Sequence, residues 1–138
     1  MRIVLDTNVL VSGLLSPFGT CAELVRMLTS GTLVLCVDAR ILLEYDEVLR
    51  RSKFDIAPAR VDILMEHIEN TAEVHAADPL DIALPDEADS PFLEVALASA
   101  ASYLVTGNLK HFPKRHRAGV AVVSPKAFLD AYRGRRTR

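Results

Sequence analysis

Short runs of uninterrupted apolar residues alternate along this chain with longer segments of helical periodicity, and this alternation constrains the fold more than any other feature. Each run is apolar at successive positions rather than at every second one, as is typical of strands covered on both faces. Strands are predicted at 2–5, 33–37, 103–108 and 120–124. The sequence therefore predicts an α/β fold: a three-layer α/β/α sandwich, Rossmann-like, with a central parallel sheet.

Helices are predicted between and after these strands from turn and capping signals. Ser16 and Pro17 begin a turn that ends the first helix, Gly31 is placed as the C′ residue of the second, and Asp38 as the N-cap of the third. The predicted helices cover 7–15, 20–30, 39–51, 59–74, 91–101 and 125–132.

Length and composition fit one compact domain. With 138 residues, half of them hydrophobic and a quarter charged, the chain can bury a sizeable core. We expect a single domain at 1–132 and a basic C-terminal tail at 133–138. No apolar run approaches the roughly 18–20 residues that span a bilayer, and Asp6 interrupts the first apolar stretch, so we expect a cytoplasmic protein without a membrane partner.

The two cysteines, Cys21 and Cys36, lie in separate apolar segments. Together with four scattered histidines they give no zinc-ligand spacing. We therefore interpret them as small core residues in a reducing compartment.

Charge is unevenly distributed around a net value of −2. Acidic residues dominate 62–94, whereas basic residues gather at 110–117 and 133–138. A third, smaller basic group consists of Arg50, Arg51 and Lys53. Such groups are most often solvated surface, but three of them around an acidic site would favour a polyanionic partner.

Several acidic side chains stand where burial is expected. Asp6 directly follows the first strand, and ligands of open parallel sheets collect beyond the carboxyl ends of strands. Glu44 shares a helical stripe with Ile41 and Val48, which places it on the inward face. Asp89 lies at the start of a helix on the stripe of its buried residues Phe92, Leu93 and Ala96. We expect these three acids to meet near one edge of the sheet.

Each acid also has an ordinary structural explanation. Asp6 could cap the helix that starts at the next residue. Asp86 and Asp89 imitate a capping box and suit the positive end of a helix. Glu44 could bend outward to Arg40. Each explanation accounts for one acid, and none accounts for three at one end of the sheet.

Clustered carboxylates repel one another and raise one another's pKa, which is costly unless a cation lies among them. All-oxygen ligands suit Mg²⁺ or Mn²⁺, which bridge to phosphate oxygens. Such an ion lowers the pKa of a bound water and stabilises an in-line displacement at phosphorus. The acids therefore favour metal-dependent hydrolysis of a phosphodiester, without selecting the polymer.

Three segments, LDTNVLVSGLL, ILLEYDEVL and DEADSPFLEVALASAASYLVTGN, occur in this order and resemble the PIN-domain ribonucleases. The closest likeness is to toxin components of toxin–antitoxin modules related to VapC, and it extends from Arg2 to about Tyr132. The resemblance implies Mg²⁺- or Mn²⁺-dependent endonucleolytic cleavage of single-stranded RNA. It also implies a small antitoxin as partner and a homodimer.

By this resemblance, Asp6, Glu44 and Asp89 are the catalytic, metal-binding acids. Asn8 and Thr106 match polar positions that support the carboxylates. Two positions depart from the family. Asn108 stands where the subgroup usually has an acid; it still offers an oxygen to the metal or its water, but no charge. Ala88 also replaces a common acid, with Asp86 close by as a supporting residue.

For the substrate, we expect the basic residues Lys110, Lys114 and Arg115 to hold the RNA strand. Phe18, Phe112 and Tyr103 are candidates for stacking on a base. Tyr103 is more typical of a core residue, and Phe18, between Pro17 and Gly19, is the better exposed candidate.

Two other classes of function stay open. One is a catalytically degenerate PIN domain that binds RNA or a protein partner without cleavage, which Asn108 motivates. The other is a receiver-like or phosphatase-like domain with Asp6 as phospho-acceptor. The second is disfavoured because Asn8 stands where the phosphatase pattern has another acid.

Overall fold

A computed structural model describes residues 1–136, with the side chains of residues 1–134. Within these residues a single parallel sheet contains five strands: β1 (Arg2–Leu5), β2 (Val34–Val37), β3 (Glu73–Val74), β4 (Tyr103–Val105) and β5 (Val122–Val123). Their spatial order is β3-β2-β1-β4-β5. α-Helices connect the first four strands in sequence order, and two short 3₁₀ segments connect β4 to β5. The predicted α/β/α sandwich is confirmed.

The described residues contain six α-helices: α1 (Thr7–Leu15), α2 (Thr20–Thr29), α3 (Ala39–Leu49), α4 (Pro58–Thr71), α5 (Ser90–Ala98) and α6 (Pro125–Arg136). Each predicted helix is present, with ends that shift by a few residues. Asp38 caps α3 by accepting a 3.0 Å hydrogen bond from the backbone of Ile41. Gly31 follows α2 at φ +79°, the left-handed conformation that favours glycine at this position.

Strand β3 was not predicted from the sequence. Helix α4 ends three residues earlier than expected, and the chain then pairs with β2, where Cys36 lies opposite Glu73. A two-residue strand that begins with a glutamate has too little pattern to distinguish it from the end of an amphipathic helix. The predicted third strand, in turn, ends at Val105 rather than at residue 108.

The core lies on both sides of the sheet. Ile3, Val4 and Leu5 of β1 are fully buried, which explains their uninterrupted apolar run. Helices α1 and α2 pack closely because Gly13 has no side chain: an added Cβ would lie 2.6 Å from Val25 Cγ2. Among the described residues no single helix is long and apolar enough to cross a bilayer; α1 and α2 meet that test only together, as a pair bent by 102°.

The expected basic tail overlaps the last helix. Helix α6 continues to Arg136, and Arg133 makes a 2.7 Å ion pair with Glu23. Positions 137 and 138 of the predicted tail lie outside the described residues. The domain boundary at residue 132 stays a prediction.

The sheet register sets two polar residues side by side. Leu5 pairs with Val105, so that the next residues, Asp6 and Thr106, leave the sheet at the same carboxyl edge. The backbone N–H of Asp6 donates to the carbonyl of Val105 over 2.9 Å, which fixes this arrangement. This edge carries the candidate site.

Candidate active site

Asp6 lies at the carboxyl end of β1 and is only 6% exposed. Although it occupies the N-cap position of α1, its carboxylate makes no capping hydrogen bond within the described structure. Its Oδ2 atom instead accepts a 2.7 Å hydrogen bond from the Thr106 hydroxyl. The backbone N–H groups of Thr7 and Asn8 at the start of α1 also lower the pKa of Asp6, but its hydrogen-bonded side-chain partner is Thr106.

Glu44 extends from α3, whose buried stripe consists of Ile41, Tyr45 and Leu49. It lies beside this stripe, half-buried, and its Oε2 atom accepts a hydrogen bond from the hydroxyl of Thr7. The alternative partner, Arg40, pairs with Asp38 and Glu94 instead. Glu44 therefore turns toward the end of β1 rather than outward.

Asp89 ends the short 3₁₀ segment Glu87–Asp89 just before α5 and is 7% exposed. Among the described residues none donates a hydrogen bond to its buried Oδ2 atom. His111 Nδ1 lies 3.0 Å from this oxygen, close enough for an ion pair when the ring is protonated, but outside hydrogen-bond geometry. The Oδ2 atom of Asp89 is thus an unsatisfied acceptor beside the imidazole ring of His111.

All three acids line one cleft of about 420 Å³. Its other lining residues are Thr7, Asn8, Val11, Ser12, Val48, Arg51, Phe54, Asp86, Ala88 and His111. The structure thereby brings together Asp6, Glu44 and Asp89 from three distant parts of the sequence.

The environment of the cleft disfavours negative charge. Burial is the main cause that raises the pKa of Asp6, and the hydrogen bond from Thr106 opposes it. Burial likewise raises the pKa of Glu44, against the hydrogen bond from Thr7. For Asp89, burial and then the charge of Asp6 raise the pKa to about 6, while His111 acts in the opposite direction. The three carboxylates repel one another in a partly desolvated space.

A divalent cation fits this arrangement. It would satisfy the buried Oδ2 of Asp89 and offset the repulsion among the acids, and the oxygen donors suit Mg²⁺ or Mn²⁺. In the described structure, however, the carboxylate oxygens of Asp6, Glu44 and Asp89 do not all lie within 4.8 Å of one another. Such an ion would therefore be held in part through water, as Mg²⁺ commonly is.

The predicted supporting residues play different roles. Thr106 contacts Asp6 as described, whereas the side chain of Asn8 accepts a 3.2 Å hydrogen bond from the backbone of Gly107 and so holds the loop after β4. Asp86 accepts a 2.9 Å hydrogen bond from the backbone of Ala88, and both residues line the cleft. The capping interpretation of Asp86 thus holds alongside its position at the site.

Asn108 lies at the edge of the site. Its backbone N–H donates to Thr106 Oγ1 over 3.0 Å, and it precedes the 3₁₀ segment Leu109–His111. Asn108 is not among the described residues that line the cleft. Its role as a metal ligand stays a prediction.

Among the residues of the cleft that the sequence does not identify, three interact with the acids. The sequence predicts Thr7 only as the first residue of a helix, yet its hydroxyl donates a hydrogen bond to Glu44. His111 lies in the basic segment 110–117, which is predicted to bind RNA through its charge, and it contacts Asp89. Arg51 belongs to the small basic group noted above; it lines the cleft, and its charge lowers the pKa of Glu44.

The aromatic candidates divide into two kinds. Phe112 is fully buried, so its proposed stacking on a base is wrong: an apolar side chain inside a basic segment is drawn into the core. Tyr103 packs edge-on against Phe128 with 5.5 Å between ring centroids. Phe18 is 98% exposed, as expected. The cationic candidates Lys110, Lys114 and Arg115 are also exposed.

These observations define a class of protein: a parallel α/β/α sandwich with a carboxylate-lined cleft at the carboxyl edge of its sheet. The family model described as PIN domain matches residues 2–110 of this chain. The chain belongs to the PIN-domain family, and the resemblance seen in its motifs is confirmed.

A comparison with solved structures supports the fold. One matching structure, VapBC2 from Rickettsia felis bound to a DNA fragment from its promoter, is 17% identical in sequence with a TM-score of 0.58. The match covers 90% of this chain and 98% of the other. At this identity the similarity shows a shared fold. A comparison with curated proteins gave no match.

Proposed function

We propose that this protein is a divalent-metal-dependent endoribonuclease that cleaves single-stranded RNA. The observation that carries the proposal is the convergence of Asp6, Glu44 and Asp89 on one cleft, with the Oδ2 atom of Asp89 buried and unsatisfied among the described residues. Membership of the PIN-domain family supports it.

These three carboxylates would hold Mg²⁺ or Mn²⁺, with Asn108 as a neutral oxygen donor at the margin. When bound, the ion supplies charge neutralisation at the phosphate and an acidified water. Thr106 keeps Oδ2 of Asp6 oriented, and Thr7 does the same for Glu44, so that two of the three acids are fixed before any ligand arrives. His111, beside Asp89, holds positive charge near that acid when protonated.

The surroundings of the cleft suit a phosphate backbone. Arg51 lines the cleft directly, and the exposed Lys110 precedes the cleft residue His111 in the same 3₁₀ segment. Lys114 and Arg115 follow in the next one, Lys114–His116. Cationic side chains along a cleft bind single strands through counterion release, and such binding weakens as salt rises. The exposed Phe18 is the remaining candidate for stacking on a base.

As a biological role we propose the toxin of a toxin–antitoxin pair, located in the cytoplasm, with an antitoxin that covers the acidic cleft. The shared fold with VapBC2 and the motif resemblance support this role. The exposed apolar side chains Leu43 and Ile63, 67% and 69% exposed, support an interface with an antitoxin or with a second copy in a homodimer. Both cysteines are free, which suits a reducing compartment.

The test compares RNA cleavage by the wild-type protein, Asp6→Asn and a control variant, Asp130→Asn. Asp130 is an exposed residue of α6 that pairs with Lys126, so its substitution makes the same chemical change away from the cleft. With Mn²⁺ or Mg²⁺ and a labelled single-stranded RNA, we expect cleavage by the wild type and Asp130→Asn. We expect a loss of at least about 100-fold in Asp6→Asn, since loss of one electrostatic group at a reacting phosphate has effects of this order. A chelator should abolish all cleavage.

Equal cleavage by the wild type and Asp6→Asn would exclude the proposed site. A second function, a degenerate PIN domain that binds RNA or a protein without cutting, is favoured by one observation: the neutral Asn108 follows β4 outside the set of described residues that line the cleft. Tight RNA binding by the wild type without cleavage under any metal would support this second function.

A further inference from the structure

The unpredicted strand β3 places three potential metal ligands on one face of the sheet. Cys36 of β2 lies opposite Glu73 of β3, so their side chains point to the same face of the parallel pair. His75 follows two residues after Glu73 and therefore projects to that face as well. Its backbone N–H donates to the carbonyl of Val37 over 2.9 Å, which continues the ladder and fixes its position.

The side chains converge closely. Glu73 Oε1 lies 3.0 Å from His75 Nε2 and 4.0 Å from Cys36 Sγ. All three ligand atoms lie within 4.8 Å of one another, and in the described part of the chain no other trio of Cys, His, Asp or Glu does so. Cys36 is buried, whereas Glu73 and His75 are half-buried and open to an ion from solvent. The spacing of these residues in the sequence does not predict the cluster, because the cluster depends on the pairing of β3 with β2.

We propose that Cys36, Glu73 and His75 form a Zn²⁺ site. A thiolate, an imidazole and a carboxylate are the ligands that zinc takes in proteins, and three of them leave a fourth tetrahedral position for water. A thiolate is a poor ligand for Mg²⁺, so this site would select a different ion from the all-oxygen cleft. None of its residues lines that cleft, and the inference does not depend on the proposed nuclease activity.

Arg2 occupies the place of a cation in the ion-free protein. Its Nε lies 2.7 Å from the same Glu73 oxygen that faces His75. The Arg2 side chain is 55% exposed, so it can return to solvent when zinc arrives, and an exposed ion pair of this kind holds little stability. Arg2 therefore competes with zinc for Glu73, and its removal should tighten binding.

A bound ion would join the edge of the sheet. β3 has only two residues and contacts the sheet through β2 alone. Zinc held by Cys36 on β2 and by Glu73 and His75 on β3 would cross-link the two strands.

The experiment titrates the metal-stripped full chain with Zn²⁺ by calorimetry, and with Co²⁺ as a spectroscopic substitute. We expect one zinc ion per chain with high affinity, a cobalt–thiolate charge-transfer band, and no comparable binding of Mg²⁺ at this site. Cys36→Ser and His75→Gln should each weaken zinc binding by at least about tenfold. Arg2→Gln should tighten it.

Two control variants separate this site from others. Cys21→Ser changes the other free cysteine, and Asp6→Asn changes the acidic cleft; both should keep the high-affinity zinc binding and the cobalt–thiolate band of the wild type. His75 is only half-buried, whereas Cys36 is buried, so His75→Gln keeps the test valid if Cys36→Ser fails to fold. The proposal is overturned if the wild type takes up no zinc, if both ligand variants bind it unchanged, or if Asp6→Asn alone loses it.

Discussion

The hydroxyl of Thr106 donates a 2.7 Å hydrogen bond to Oδ2 of Asp6 across a sequence separation of 100 residues. The same hydroxyl oxygen accepts the backbone N–H of Asn108 over 3.0 Å, which directs its proton toward the carboxylate. Both side chains are buried at adjacent strand ends. This pair links the first acid of the cleft to the loop that carries Asn108.

Replacing Thr106 with valine removes this hydrogen bond at nearly constant volume. Since the bond lowers the pKa of Asp6, its loss should raise that pKa further and weaken Mn²⁺ binding by about tenfold. A buried carboxylate that loses its partner should also cost about 1–3 kcal/mol of stability. Titration calorimetry and urea unfolding measure the two effects. Thr106→Ser, which keeps the hydroxyl, should stay close to the wild type, and equal losses in both variants would contradict this role.

The sequence predicted the positions of Asp6 and Glu44 because a general rule applies to each. Parallel strands end at a common edge, which places Asp6, and helical periodicity identifies the inward side of α3, near which Glu44 lies. The partners of these acids could not be predicted: the bond between Thr7 and Glu44 depends on how α1 packs beside α3, which no local pattern records.

The same limit explains the two errors. β3 is too short and too polar for periodicity to reveal, although it assembles Cys36, Glu73 and His75. Phe112 lies in a segment whose composition suggests surface, yet it is fully buried while its cationic neighbours remain exposed. Local composition describes the average of a segment, and the side chains of a 3₁₀ turn point in different directions.

Asp89 makes the metal-free protein sensitive to pH. Its pKa of about 6 in the fold lies above the ordinary 3.8, so between these values the folded protein holds a proton that the unfolded chain releases. Stability from this group is therefore present at about pH 4 and is lost as pH rises through 6. The full difference corresponds to at most about 3 kcal/mol, which solvent in the open cleft reduces to about 1–2 kcal/mol.

Asp89→Asn should remove this dependence. Relative to the wild type, the variant should gain about 1–2 kcal/mol in free energy of unfolding at about pH 7.5 and nothing at about pH 4, measured by urea unfolding in a chelator. Excess Mn²⁺ should abolish this difference in free energy of unfolding, because it should stabilise only the wild type. If the free energies of unfolding of the two proteins changed with pH in the same way, the ionisation of Asp89 would carry no energetic cost in the fold.

Gly13 sets the distance between α1 and α2. An alanine Cβ would lie 2.6 Å from Val25 Cγ2 and 2.9 Å from the carbonyl oxygen of Cys21, and the backbone atom cannot move aside easily. We expect Gly13→Ala to destabilise the fold by about 1–3 kcal/mol despite the higher helix propensity of alanine. Gly134→Ala in α6 is the matched control, since among the described residues outside its own helical turn no atom lies within 4 Å of the added Cβ. The stability of Gly134→Ala should equal or slightly exceed that of the wild type. If both alanine variants changed the free energy of unfolding equally, the close packing at Gly13 would not be the cause.

The basic segment beside the cleft should act on RNA through charge alone. Lys114 and Arg115 are exposed and lie in the 3₁₀ segment that follows His111, a residue of the cleft wall. If each neutralises one phosphate, the slope of log K against log salt falls by about 0.7 per residue for a single strand. The double variant Lys114→Gln, Arg115→Gln should therefore bind several RNA sequences uniformly more weakly at low salt, with a slope shallower by about 1.4.

This binding is best measured in the Asp6→Asn background, where the proposed cleavage is absent, by fluorescence anisotropy over a range of salt. Lys126→Gln serves as the control because Lys126 is an exposed cation of α6 that already pairs with Asp130. Cleavage is measured in proteins that retain Asp6. At saturating RNA, the double variant should then cleave at the wild-type rate, since the two cations hold the strand and do not reach the carboxylates. An unchanged salt slope would place the RNA elsewhere, and a reduced rate at saturation would give these residues a part in the reaction itself.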